Sequence, residues 1–260
     1  MTARRLCALA LLALLALLAS GSAATSPPRI SIIIDDLGYR FDAGQRAIKL
    51  PGPISFAVLP GAPSTRALAV MAFESGKEVL LHLPLQATPN DAIQEPLEIN
   101  LDMNRREFGD TFDRALTSVP HAIGVNSHRG SMLTRHPGHM QWLMDEIHAR
   151  ENLFFVDSFT THQSVALKIA HETGVDARKR DVFLDPDREP ETVAREFERM
   201  KQLALKRGSV VAIGHPYTAT LELLERELPK LADEGFELVT ISVLVRRQPN
   251  VHTGNQVAEL

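Results

Sequence analysis

Cysteine is all but missing from this 260-residue chain: its one thiol, Cys7, lies in an apolar stretch at the N-terminus. A mature chain beginning after that stretch has no thiol, which excludes disulfides and cysteine nucleophiles. Any metal must then be held by His, Asp or Glu. Aromatics are scarce at 5 %, with Trp142 the only tryptophan, so no long carbohydrate-stacking platform is evident. Basic runs are absent too, and 32 acidic residues outnumber 28 basic ones. That balance argues against nucleic acid as a partner. No short repeat occurs, and no Gly-rich phosphate loop follows the first apolar run after the N-terminus.

The longest apolar stretch, Leu6 to Ala19, is too short to span a bilayer. Arg4 and Arg5 precede it and the small residues Ser20 to Ala24 follow, which is the pattern of a secretory signal peptide. The expected organisation is a signal over 1–24, one α/β domain over 25–246 and a polar tail over 247–260. It implies a periplasmic or secreted protein with no stable membrane anchor after cleavage.

Short apolar runs punctuate the rest of the chain, and several stop on an acid or an imidazole. They include Ile30–Ile34 before Asp35-Asp36, Val79–Leu81 before His82, and Ala122–Val125 before Asn126-Ser127-His128. Leu153–Val156 precedes Asp157, Val182–Leu184 precedes Asp185, and Val210–Ile213 precedes Gly214-His215. Runs of this length read as buried parallel strands. Between them lie helical stripes, such as Val193, Phe197, Met200 and Ala204, with Gly208 as the stop. Ser64 is placed to cap one helix and Pro137 to begin another, while Pro229 should divide a later one. Alternating strands and helices build a parallel sheet, and site residues drawn from nearly every strand favour a barrel over an open sheet. Gln86–Asn104, weakly periodic, reads as an inserted loop over the rim.

Two adjacent carboxylates at a strand end, Asp35 and Asp36, point in different directions. One can bind a metal while the other accepts a proton, although a turn or helix cap uses the same residues. Gly38 just beyond lets the backbone turn tightly under a ligand. His82 and His128 with an aspartate would complete a two-His, one-carboxylate set with open positions for water and substrate. His215, between Gly214 and Pro216, is rigidly placed for general acid or base work. Asp157, Ser158, Arg180 and Asp185 are supporting candidates. Asp157 is placed to orient a histidine or bind substrate, and Arg180-Asp181 to form an internal ion pair.

Taken in order, Ile32–Gly38, Gly76–Pro84, Gly124–Ser131, Phe155–Thr161, Arg180–Asp185 and Ile213–Pro216 resemble the divergent polysaccharide deacetylase family. That family is related to the carbohydrate esterases that remove N-acetyl groups from cell-wall glycans. The resemblance covers roughly Arg29 to Arg246. It implies a distorted (β/α) barrel of seven or eight mostly parallel strands, with a divalent metal of the zinc type at the strand C-termini. By the same resemblance Asp35 is the catalytic base, Asp36 a metal ligand, His82 the first motif histidine and His215 the late catalytic histidine. Where the related esterases carry a second histidine four residues after the first, this chain has Gln86. His128, on the next strand, is the nearest replacement. The implied activity is hydrolysis of N-acetyl groups on a glycan or peptidoglycan-like polysaccharide. Gln86 keeps open a non-catalytic envelope protein that binds glycan or a partner, and the same rim would suit an ester or phosphoester hydrolase.

Overall fold

The computed structural model describes residues 26–88 and 95–246. The expected signal and polar tail, and positions 89–94 of the inserted loop, lie outside the described residues. The elements run β1 (Arg29–Leu37), α1 (Phe41–Ile48), β2 (Ser55–Val58), α2 (Thr65–Glu74), β3 (Glu78–Leu85), α3 (Arg105–Ser118) and β4 (Ala122–Arg129). There follow α4 (Pro137–His148), β5 (Phe154–Asp157), α5 (Ala166–Thr173), β6 (Ala177–Lys179), β7 (Val182–Phe183), α6 (Pro190–Arg207) and β8 (Ser209–Gly214). The chain then forms α7 (Thr218–Glu227), β9 (Glu237–Leu238) and α8 (Ile241–Val245).

The strands pair in the order β6-β5-β4-β3-β2-β1-β8-β7, with β9 added beside the start of β1, and the paired strands run parallel. The two ends of that order, β6 and β7, are consecutive in the chain, separated only by Arg180 and Asp181. One short stretch therefore bonds β5 with its first half and β8 with its second, drawing the ends of the curled sheet together. The Arg180 N–H donates to the Asp157 carbonyl and the Asp181 N–H to that of Val211. The architecture is a curled parallel sheet wrapped by helices, a distorted (β/α) barrel.

Side-chain alternation sorts each strand between two cores. Ile32, Ile34, Leu81, Phe155 and Ala212 belong to the large apolar layer shared with the helices. Ile33, Leu80, Phe154, Val156, Val211 and Ile213 form a smaller cluster inside the curl. Gly124 is required there: a Cβ on it would lie 2.5 Å from the Phe154 ring.

Several helix signals act as expected and one does not. Pro137 opens α4, Gly208 closes α6 in a left-handed conformation, and a separate 3-10 turn, Leu228–Lys230, follows α7 at Pro229. Ser64 holds the N-cap position of α2 but its side chain makes no capping bond. Strand ends also differ from expectation. β3 runs through His82 to Leu85, and β4 through His128 to Arg129, pairing His82 with Asn126 and Pro84 with His128. His82 and His128 thus lie within their strands rather than beyond them, whereas His215 is, as expected, the first residue past β8.

Candidate active site

Alternation carries the inner face upward from apolar to polar. Two residues after Ile33 comes Asp35; two after Leu80 comes His82; two after Ile213 comes His215. On β4, Asn126 and His128 share a face for the same reason. Asp36 has the wrong parity for this face. It enters because its φ is +61°, where the β1–β2 register shifts between Ile34 and Leu37. A left-handed non-glycine residue of this kind stores strain and marks a constrained site. Gly38, at φ +143°, then turns the chain where a Cβ would lie 2.9 Å from that of Ala62.

Three donor atoms meet at one point. His82 Nε2 lies 3.1 Å from Asp36 Oδ1, His128 Nδ1 lies 2.9 Å from His82 Nε2, and His128 Nδ1 lies 3.2 Å from Asp36 Oδ1. Among the described residues this is the group of three such side chains close enough to hold a metal ion. The ring orientation fits that use. His82 Nδ1 is bonded to Asn126 Oδ1, which also accepts from Ser158 Oγ at 3.3 Å. An amide oxygen accepts, so Nδ1 carries the proton and the Nε2 lone pair faces the shared point. Two imidazole nitrogens and a carboxylate oxygen are a borderline donor set suited to zinc and similar divalent ions.

The surrounding charges are strongly coupled. Burial works to raise the Asp36 pKa, but the adjoining imidazoles of His128 and His82 hold it well below the ordinary carboxylate range. Burial would lower that of His128, yet the nearby carboxylates of Asp36 and Glu95 push it up to about 9. Asp35 is raised, chiefly because it is buried, while His82 and His215 pull the other way. Its Oδ2 lies 3.7 Å from His82 Nε2, and its buried Oδ1 has no hydrogen-bond partner. That unpartnered oxygen is suited to taking a proton.

His215 approaches from the opposite side, with Nε2 3.7 Å from Asp36 Oδ2. Asp185 fixes it: Oδ1 lies 2.9 Å from His215 Nδ1, and Oδ2 accepts from the His215 N–H at 2.7 Å and from Thr220 Oγ1 at 2.7 Å. Burial opposes protonation of His215, but the Asp185 bond and the charge of Asp36 raise its pKa overall. The carboxylate that orients a histidine is therefore Asp185 and not Asp157. Asp157 shares the outward parity of Phe155, and it accepts from the Phe159 N–H and from Ser164 Oγ, shaping the loop after β5.

Other expectations are redistributed. Arg180 and Asp181 form no ion pair with each other. Arg180 donates to the carbonyls of Ser158 at 2.6 Å and Phe159 at 3.2 Å, while Asp181 pairs with Arg207 at 2.9 Å. Gln86 is turned away from the three donors; its Oε1 accepts from the Leu101 N–H at 2.8 Å and pins the inserted loop. Reading the sequence alone misses Asn126 and Glu95. Asn126 carried a signal, its same-face spacing to His128. Glu95 carried none, sitting in an aperiodic loop, yet its Oε1 lies 3.9 Å from His128 Nε2 and its Oε2 accepts from Tyr39 at 3.0 Å. A cleft of about 430 Å³ opens over the group, with Asp35, His82, His128, Arg180, Phe183 and His215 in its walls. A cavity of about 540 Å³ lies at the other end of the sheet, beside Arg29, Ala177 and Val245, without a convergent donor set.

The chain is 37 % identical over 228 residues to the uncharacterized protein YibQ of Escherichia coli strain K12, covering 86 % of this chain and 69 % of that protein. The crystal structure of the uncharacterized protein ATU2773 of Agrobacterium tumefaciens C58 superposes with a TM-score of 0.81 at 20 % identity, over 86 % of this chain and 92 % of that one. A mutant of BA3943, a CE4 family pseudoenzyme from Bacillus anthracis with restored enzymatic activity, superposes at 0.50 and 14 % identity, over 85 % and 68 %. Both structural likenesses are of fold. Residues 32–245 match the model of the divergent polysaccharide deacetylases, and the chain belongs to that family.

Proposed function

We propose that this protein is an exported, metal-dependent hydrolase that removes N-acetyl groups from a cell-envelope glycan. The observation that carries the reading is the meeting of Asp36, His82 and His128 donor atoms between Asp35 and His215. Those three residues would hold a divalent metal, zinc by their donor chemistry. Once bound, such an ion supplies Lewis acidity toward a carbonyl oxygen and makes a coordinated water more acidic. Asp35 takes the proton of the attacking water. His215, its Nδ1 committed to Asp185, works through Nε2 and delivers a proton to the leaving amine. Export rests on the signal-like residues 1–24.

The test is acetate release from N-acetylglucosamine oligomers by metal-loaded mature protein. Wild type should release acetate, and Asp35→Asn should lose turnover by about 10²-fold or more while still binding metal. Asp35→Asn turning over like wild type would contradict the assignment. Gln86, committed to the Leu101 backbone, favours one second reading: a non-catalytic protein that binds glycan with the same cleft. Bound metal without acetate release from any glycan would select it.

A further inference from the structure

A second cleft of about 540 Å³ adjoins the first and shares Thr160, Arg180 and Phe183 with it. Its walls carry Lys179, Arg180, Arg199 and Arg207 against Asp181 and Glu196. That excess of two cations occurs in a chain whose acids outnumber its bases. Arg207 is neutralised by Asp181 at 2.9 Å and Arg199 by Glu196 at 2.9 Å. Lys179 and Arg180 are different. Among the described residues neither forms an ion pair, although both act at longer range on the buried Asp157 and Arg180 also on Asp35, and Arg180 spends its hydrogen bonds on neutral carbonyls.

Aromatic rings hold both of these cations. Lys179 Nζ lies 4.3 Å from the Phe159 ring centroid, and the Arg180 guanidinium lies 4.5 Å from that of Phe183. A ring face orients a cation without cancelling its charge. Phe159 is itself forced to φ +51°, with its N–H held by Asp157 and its carbonyl by Arg180. Such strain persists only where the surroundings fix it, and here it places a ring beneath a lysine that forms no ion pair among the described residues.

We propose that this cleft is an anion-binding subsite, taking a carboxylate or phosphate carried by the same glycan whose acetyl group occupies the first cleft. The proposal rests on the glycan reading above and narrows the substrate to an acidic polysaccharide. Paired cations next to a reaction cleft favour a ligand with a fixed negative charge one sugar away.

Titration calorimetry on the mature protein tests it with three oligosaccharides of equal length. One is neutral N-acetylglucosamine, one alternates with carboxylate-bearing N-acetylmuramic acid, and one carries 6-phosphate groups. At low salt an acidic oligomer should bind about threefold to tenfold more tightly than the neutral one, the scale of a partly exposed ion pair. Whichever acid is preferred names the group. Lys179→Glu, at an exposed side chain, should abolish the preference with the thermal unfolding midpoint unchanged. Equal affinities in wild type, or a preference that survives Lys179→Glu, would overturn the subsite. Binding needs no turnover, so a charge preference without acetate release removes the deacetylase reading alone. Acetate release with equal affinities removes the subsite alone.

Discussion

Asn126 sits directly across the β3–β4 pairing from His82, where one amide sets the tautomer of a proposed metal ligand. Its Oδ1 bonds His82 Nδ1, which fixes the tautomer and presents Nε2 to Asp36 and His128. Losing such a partner in metal sites lowers affinity by about 10- to 100-fold. Asn126→Ala should therefore weaken zinc binding by about that factor in a chelator competition, with the far-ultraviolet circular dichroism unchanged. Wild-type affinity in that variant would show that the amide does not orient the ring. The convergence of Asp35, Asp36, His82, His128 and His215 was legible, because each lies at or just after the end of an apolar run. Asp157 ends its run in the same way, but parity turns it outward. That distinction depends on which face of β5 lines the curl, a fact no single run contains.

At the scale of elements, the inserted loop and the α3–α4 pair make separate claims. Gln86 ties the end of β3 to Leu101 through its side chain and to Ile99 through its backbone N–H. Gln86→Ala leaves the Leu101 N–H without its acceptor. It should cost about 1 kcal/mol in denaturant unfolding while leaving metal affinity unchanged. A large loss of metal affinity would instead make Gln86 part of the centre. Glu146 on α4 pairs with Arg105 of α3 and, at 2.8 Å, with Arg150. Burial would raise its pKa, but these two arginines lower it overall. A depressed folded pKa gives stability that is full above the unfolded value, about 4.3, and is lost as pH falls below it. Glu146→Gln should thus lower stability at pH 7 by about 1 kcal/mol, and the difference from wild type should shrink on acidification below about pH 4. A difference independent of pH would remove the ion-pair explanation. The Arg105–Glu146 pair was not legible beforehand, since it joins two helices whose packing the sequence does not pair.

For the whole molecule, the sheet is what turns scattered residues into a site. Side chains from β1, β3, β4 and the residue just past β8 meet because alternate positions face the inside of one curl, with Asp36 turned in by its left-handed backbone. The stretch from β6 to β7 brings its edges together at Arg180. The βα rhythm made the parallel barrel readable from sequence. Of the closing stretch only β7 was readable, from the run Val182–Leu184; β6, Ala177–Lys179, is three residues long with two exposed basic side chains and no apolar run. Glu95 was hidden for a related reason, since a loop crossing the rim carries no period from which its direction can be inferred. Anomalous diffraction from crystals of zinc-loaded protein would locate a metal held by Asp36, His82 and His128. One strong peak per chain is expected between Asp36 Oδ1, His82 Nε2 and His128 Nδ1, lost in His82→Ala and in His128→Ala. A peak elsewhere, or none at that point with zinc in excess, would contradict that assignment.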